Sequence, residues 1–194
     1  MALPKEYVSY LAGEMAKRLA KSGVAKIYDH PGVTEKIQQT LLDDADREEK
    51  LNQEVRDYLE KYSSEIRRDA LSYQEMYKLV KKELMKKHKI TTSSRPGEDG
   101  VKLNRDKVIE LSHTMVKNLE EIRDKFEFIA PKNDVRLEIV REINGLLRQE
   151  HQIDQAVRAK IKSQKREIDE GSGEWDILFR KYYTDEMRKF GATE

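Results

Sequence analysis

The sequence predicts an all-α protein made of two related four-helix units, packed on each other about an approximate two-fold axis. Three observations lead there. The stretch Glu48-Glu49-Lys50-Leu51-Asn52-Gln53-Glu54-Val55-Arg56 recurs in altered form as Glu150-His151-Gln152-Ile153-Asp154-Gln155-Ala156-Val157-Arg158, and the same shift of 102 residues carries Leu59 onto Ile161, Ile66 onto Ile168 and Tyr73 onto Trp175. Apolar residues recur every three or four positions, and no stretch alternates with period two between turns. Charged residues (39%) outnumber apolar ones (37%), which would suggest disorder if one sign dominated, but 38 basic side chains are interleaved with 37 acidic ones, as on solvated helix faces. Units of roughly ninety residues cover little of their own apolar surface, so the two copies are expected to pack together.

In the first copy, Pro4 suits the opening turn of a helix that carries Val8, Leu11, Met15 and Leu19 and stops at Ser22-Gly23. Val33, Ile37 and Leu41 mark a second helix, and Leu51, Val55, Leu59, Tyr62 and Ile66 a third. Ser72-Tyr73-Gln74-Glu75 is a capping box that opens a fourth, with Tyr73, Tyr77, Val80 and Leu84 expected on its buried face. Residues 91–102 have the small, polar, Gly/Pro-containing composition of a flexible linker and divide a unit over 1–90 from a diverged one over 103–194. There Asn104 caps a helix in which Val108, Leu111, Met115 and Leu119 repeat the first helix at a shift of 100; Val135, Ile139 and Ile143 repeat the second helix at 102. Trp175, Phe179 and Tyr182 repeat the fourth as core residues, after Gly171-Ser172-Gly173.

Composition narrows the function. Without cysteine there can be no disulfide, thiolate nucleophile or Cys-ligated metal. No segment approaches the roughly eighteen apolar residues of a membrane span, and the opening residues lack a signal peptide's apolar run, so a cytoplasmic protein without a membrane partner is expected. No catalytic triad, phosphate loop or nucleotide motif is recognisable, and neither enzymatic activity nor a cofactor is expected. The acidic run from Asp43 to Glu49 lacks the glycine and the final glutamate of a calcium loop and reads as solvated acids favouring a helix start. Glu110 and His113 have metal-helix spacing but no partner set.

The polar residues kept in both copies are the candidate partner-binding set: Glu48, Asn52, Gln53 and Arg56, with Glu150, Asp154, Gln155 and Arg158. Stepping by four, Glu48, Asn52 and Arg56 form a slanting line, and either fix a helix crossing as a partly buried network or face a partner. Gln53 and Gln155 point away from the core. Lys78, Lys81, Lys82, Lys86 and Lys87 make one helix end basic; these lysines suit the helix C-terminus and would equally hold an anion such as RNA.

Tyr7-Val8-Ser9-Tyr10-Leu11-Ala12, Leu51-Asn52-Gln53-Glu54-Val55-Arg56 and the stretch from Tyr73 to Lys82 resemble a bacterial family known only as domain of unknown function 507, over Leu3 to about Lys89. The second copy departs further, with Glu110 in place of Tyr10 and Glu186 in place of Leu84. The resemblance implies a small helical bacterial protein and supplies no activity or site. The expected function is therefore non-enzymatic binding of another macromolecule, as an adaptor with a protein partner. An RNA- or ribosome-associated factor is the alternative, and a hydrolase or metal enzyme a distant third. A chain with two such copies would behave as a fused dimer.

Overall fold

The computed structural model describes residues 3–63, 72–92, 101–164, 166, 168–170 and 172–189, and the side chains of all of these except Lys5 and Glu6. Residues 93–100 in the expected linker, Ile66 in the expected third helix and Gly171 lie outside the described residues. Among the described residues the fold is all-α apart from one short strand pair. In chain order the elements are α1 (Lys5–Lys21), β1 (Ala25–Ile27), α2 (His30–Lys61), α3 (Tyr73–His88), α4 (Arg105–Glu120), β2 (Phe126–Phe128), α5 (Lys132–Lys162) and α6 (Gly173–Lys189).

The second and third helices expected in each half are one continuous helix, α2 with 32 residues and α5 with 31. Nothing interrupts α2, since no glycine or proline falls between Val33 and Lys61. Its apolar stripe does not end at Leu41 but runs on to Leu51, Val55 and Leu59 through buried Asp44 and half-buried Glu48. The acidic run therefore lies inside a helix, and Asp44 is not solvated. The helix begins where the Asp29 carboxylate accepts a hydrogen bond from the Gly32 amide at 3.1 Å, with Pro31 in the first turn.

The three-residue strands β1 and β2 pair antiparallel, and are too short for alternation to be visible in the sequence. Gly23, at φ +76°, makes the left-handed turn that leads α1 into β1. The ladder centres on Lys26 opposite Glu127, with Ala25 opposite Phe128 and Ile27 opposite Phe126.

Helix α1 packs on α2 and α5, while α4 packs on α5 and α2. Each of these short helices thus braces the long helix of the other half as well as its own. Residues from Tyr7 to Met187, on both sides of the expected boundary, share one hydrophobic core. The contacts between halves repeat at the aligned positions. Arg18 on α1 donates to Glu142 on α5 at 2.9 Å, and Asn118 on α4 donates to Thr40 on α2 at 2.8 Å. The Tyr7 hydroxyl donates to the Leu146 carbonyl, and at the corresponding place Lys107 Nζ donates to Asp44 Oδ1 at 2.6 Å.

The remaining helices each flank one long helix: α6 packs on α5, and α3 packs on α2. Trp175, Tyr183 and Met187 of α6 join the main core. Helix α3 buries no residue of its own; Met76, Tyr77, Val80 and Leu84 cover Val55 and Leu59 in a small separate cluster while staying only partly buried themselves. Tyr73, expected on the buried face, is 54% exposed, because it lies at the first residue of α3, where α2 does not cover it.

Candidate functional site

Of the polar residues kept in both halves, Glu48 and Asn52 on α2 and Glu150, Asp154 and Arg158 on α5 fall where α3 and α6 meet the two long helices, and the two sites differ. On α5, Glu150 is fully buried; its Oε1 accepts hydrogen bonds from Lys102 Nζ at 2.5 Å and from the Tyr183 hydroxyl at 3.0 Å. One turn on, Asp154 Oδ2 accepts from Arg158 Nε at 2.5 Å, and Arg158 also pairs with Glu170. The Arg158 guanidinium lies 5.3 Å from the Trp175 ring centre and 5.7 Å from that of Phe179, a cation–π arrangement. Glu150 Oε2 and Asp154 Oδ1 accept no hydrogen bond among the described residues; Asp154 Oδ1 has only the Lys102 ammonium, 3.7 Å away. Burial first, and the Glu150 carboxylate second, push the hydroxyls of Tyr7 and Tyr183 far above the usual tyrosine range. Both stay neutral, and Tyr183 serves Glu150 as a donor.

The corresponding site on α2 is looser and wetter. Lys81 reaches Glu48 at 3.8 Å, and the Tyr77 hydroxyl donates to Asn52 Oδ1 at 3.2 Å. Arg56 is turned along the surface, donating to Glu49 at 2.6 Å and to Gln53 at 3.0 Å, while Gln53 donates to Asp57 at 2.7 Å. Glu48, Asn52 and Arg56 thus lie along one side of α2, and Gln53 sits on the outer surface. Gln155 is likewise exposed, against His151 at 2.8 Å.

The lysine set divides. Lys81 is turned inward and only 14% exposed, which removes it from any anion-binding surface. Lys86 pairs with Glu83 at 2.9 Å. Lys78, Lys82 and Lys87 are exposed and have no acidic partner among the described residues. His88 sits 2.8 Å from Glu54 and helps to hold the end of α3. Beyond it Thr92 is buried, and Thr91 offers its carbonyl to Lys107 Nζ at 2.7 Å, so the first residues of the expected linker are tied to α4.

The pair Lys107–Asp44 is a polar feature that sequence reading misses. Lys107 is 1% exposed and also approaches Glu110 at 3.4 Å. Burial holds the Asp44 carboxyl above its usual value, and the hydrogen bond from Lys107 offsets only part of that rise. The unbroken core spacing of α2, in which Asp44 occupies an apolar position, is the signal that would have found it.

Among the described residues no group of three or more His, Asp or Glu side chains could hold a metal, and His113 is exposed. No helix there is long and apolar enough to cross a membrane. What the arrangement offers is a rigid core with two attached helices, one sealed and one half-covered.

The sequence profile of the family described as "Protein of unknown function (DUF507)" matches residues 1–192, and the chain belongs to that family. The match runs through both halves, well past Lys89. No curated protein matches the chain. The family's description supplies no activity, substrate or partner.

Proposed function

We propose that the protein is a non-enzymatic binding protein, an adaptor for another macromolecule, whose docking element is the arm formed by α3 and the C-terminal half of α2. One observation carries this reading: α3 buries no residue, whereas α6 in the aligned position buries Trp175, Tyr183, Glu186 and Met187. A helix held by half-covered contacts leaves Tyr58, Tyr73 and Leu79 open, and a partner would complete their burial. Gln53 and Arg56 border the same arm and supply polar contacts to a rim. A duplicated, fused pair of units in a bacterial cytoplasm fits this reading. The repeated shifts of 100 and 102 and the matching contacts between halves support such a duplication.

The test is purification from the native cytosol at low salt, with and without nuclease, of wild type and of Gln53→Glu/Arg56→Glu. The expected result is a defined protein that survives nuclease and is lost in the variant. Retention of every bound protein by the variant would remove this face from the reading. The alternative, an RNA- or ribosome-associated factor, is favoured by the unpaired Lys78, Lys82 and Lys87. It requires RNA that disappears with nuclease, bound with an affinity that falls steeply with salt.

A further inference from the structure

Tyr7 and Lys107 correspond under the shift of 100, and both reach a long helix across the core. A tyrosine hydroxyl has one proton to donate, and Tyr7 gives it to the Leu146 carbonyl. An ammonium has three. Lys107 directs them to Asp44 Oδ1 at 2.6 Å, to the Thr91 carbonyl at 2.7 Å and, more weakly, to Glu110 at 3.4 Å. For joining a short helix to a long one the neutral arrangement suffices, as Tyr7 demonstrates, and a buried ion pair is often no more stabilising than an apolar replacement. What only the lysine adds is the second acceptor, Thr91, three residues beyond the end of α3. The chain leaves α3 through Lys89 in the left-handed region at φ +53°, and the buried Thr92 offers its carbonyl to Asn104 Nδ2 at 3.2 Å. Asn104 also caps α4 by accepting from the Lys107 amide at 2.9 Å, so both ties come from the start of that one helix. Elsewhere α3 is held lightly. It buries no residue of its own, and its contacts Lys81–Glu48 at 3.8 Å, Tyr77–Asn52 at 3.2 Å and His88–Glu54 at 2.8 Å are part-buried or exposed, where such pairs contribute little.

We infer that Lys107 is the positioning residue of the docking arm: its ammonium fixes the C-terminal end of α3 against α4, and Asp44 is the counter-charge that lets a cation be buried there. The inference rests on the binding reading above for the arm's purpose, and adds the residue that sets where α3 lies. A partner that touches α2 and α3 together needs the two in a fixed relation, because ordering a loose helix at the moment of binding lowers affinity. Helix α6 has no such requirement, since Trp175, Tyr183 and Met187 already fix it in the main core.

Two variants of the full-length protein separate positioning from stability, because they should move the two in opposite directions. Asp44→Leu/Lys107→Tyr installs the neutral pair and keeps the core, but its single hydroxyl proton goes to the carbonyl of residue 44, as at Tyr7, and leaves Thr91 untied. Asp44→Leu/Lys107→Met, apolar at both places, should behave in the same way. Asp44→Asn weakens the core yet keeps the ammonium and its bond to Thr91. Amide hydrogen exchange is read by mass spectrometry on 76–90 of α3 and 175–189 of α6. In the double variants α3 should exchange at least about ten-fold faster, the factor carried by a charge-assisted hydrogen bond, while α6 changes less than about two-fold. In Asp44→Asn, α3 should stay within about three-fold of wild type even though urea unfolding shows the lower stability. Unchanged exchange on α3 in the double variants overturns the inference. So does loosening of α3 in Asp44→Asn to the same extent, or of α3 and α6 together, since exchange would then only follow core stability. A partner bound by wild type should bind Asp44→Asn equally and the double variants at least about ten-fold more weakly, and equal binding to all of them overturns the role in docking. If Gln53→Glu/Arg56→Glu keeps every bound protein, the binding reading fails on its own, and the exchange measurement still decides what holds α3.

Discussion

Asp44→Leu with Lys107→Tyr is the most informative double substitution, because the protein already contains its outcome. The sequence aligns Lys107 with Tyr7 and Asp44 with Leu146, and in each half the first residue of the pair reaches the second across the core. Asp44→Leu alone leaves Lys107, 1% exposed, with only the Thr91 carbonyl and a distant Glu110. Breaking a buried ion pair in this way costs about 3–5 kcal/mol. For a chain of this size that lowers Tm by roughly 6–20 °C, at about 2–4 °C per kcal/mol. Lys107→Tyr alone leaves Asp44, whose protonation burial already favours, with only Arg47 at 3.3 Å, at a cost of about 1–3 kcal/mol for a poorly satisfied buried group. The double variant removes both charges and installs the neutral pair of the other half. Apolar replacement of a buried ion pair is neutral or stabilising by about 1–4 kcal/mol, so this variant should lie within about 1 kcal/mol of wild type or above it. Urea unfolding followed by far-ultraviolet circular dichroism on the four proteins gives the coupling energy, expected to be at least about 3 kcal/mol. A double variant destabilised by the sum of the single ones would refute the structural equivalence of the two positions.

Alkaline stability tests the buried tyrosines. Folding raises the pKa of Tyr7 and Tyr183, so their contribution is intact below the unfolded value near 10 and is lost as pH rises beyond it, by about 2.7 kcal/mol per pH unit for two groups. Urea titrations above about pH 10 should lose that slope in Tyr7→Phe/Tyr183→Phe, and an unchanged slope would contradict the assignment. Glu150→Ala should cost about 3–5 kcal/mol because it leaves Lys102 and Tyr183 without their shared acceptor, whereas Glu48→Ala, at the wetter site, should cost under about 1 kcal/mol. Comparable losses in thermal or urea unfolding would show the two sites to be equally sealed. Amide hydrogen exchange should be faster throughout α3 than throughout α6, since only α6 contributes residues to the main core. Equal protection would argue against a half-covered arm.

How much of this was legible depended on whether a residue's neighbours lay on its own helix. The apolar spacing placed Val8, Leu11, Met15 and Leu19, and their counterparts Val108 to Leu119, on buried faces because period alone decides that. The same spacing failed at Asp44 and Glu48, where a polar residue in an apolar position read as a helix boundary. Only the long-range partner Lys107, 63 residues away, explains why an acid can sit there. Strands β1 and β2 stabilise each other across 101 residues and leave no local period. Tyr73 was misplaced for a related reason: helical phase gives the side of α3 on which it lies, but how far α2 extends to cover it is a tertiary matter.

The bracing of the core accounts for why the arms differ without endangering the fold. Because α1 leans on α5 and α4 on α2, the hydrophobic centre is completed across the halves and does not depend on α3. At the aligned place where Tyr183 closes over Glu150 in the second half, the first half has Lys81 beside Glu48. A tyrosine hydroxyl can donate from within a dry contact, and its ring excludes water. An ammonium keeps its hydration wherever it can, and Glu48 beside it remains about a quarter exposed. This aromatic-to-lysine difference accompanies a more exposed carboxylate in the first half, Glu48, and a sealed one in the second, Glu150. Stability resides in the part of the molecule that both halves build together, and the surface left open on α3 is one the core does not need.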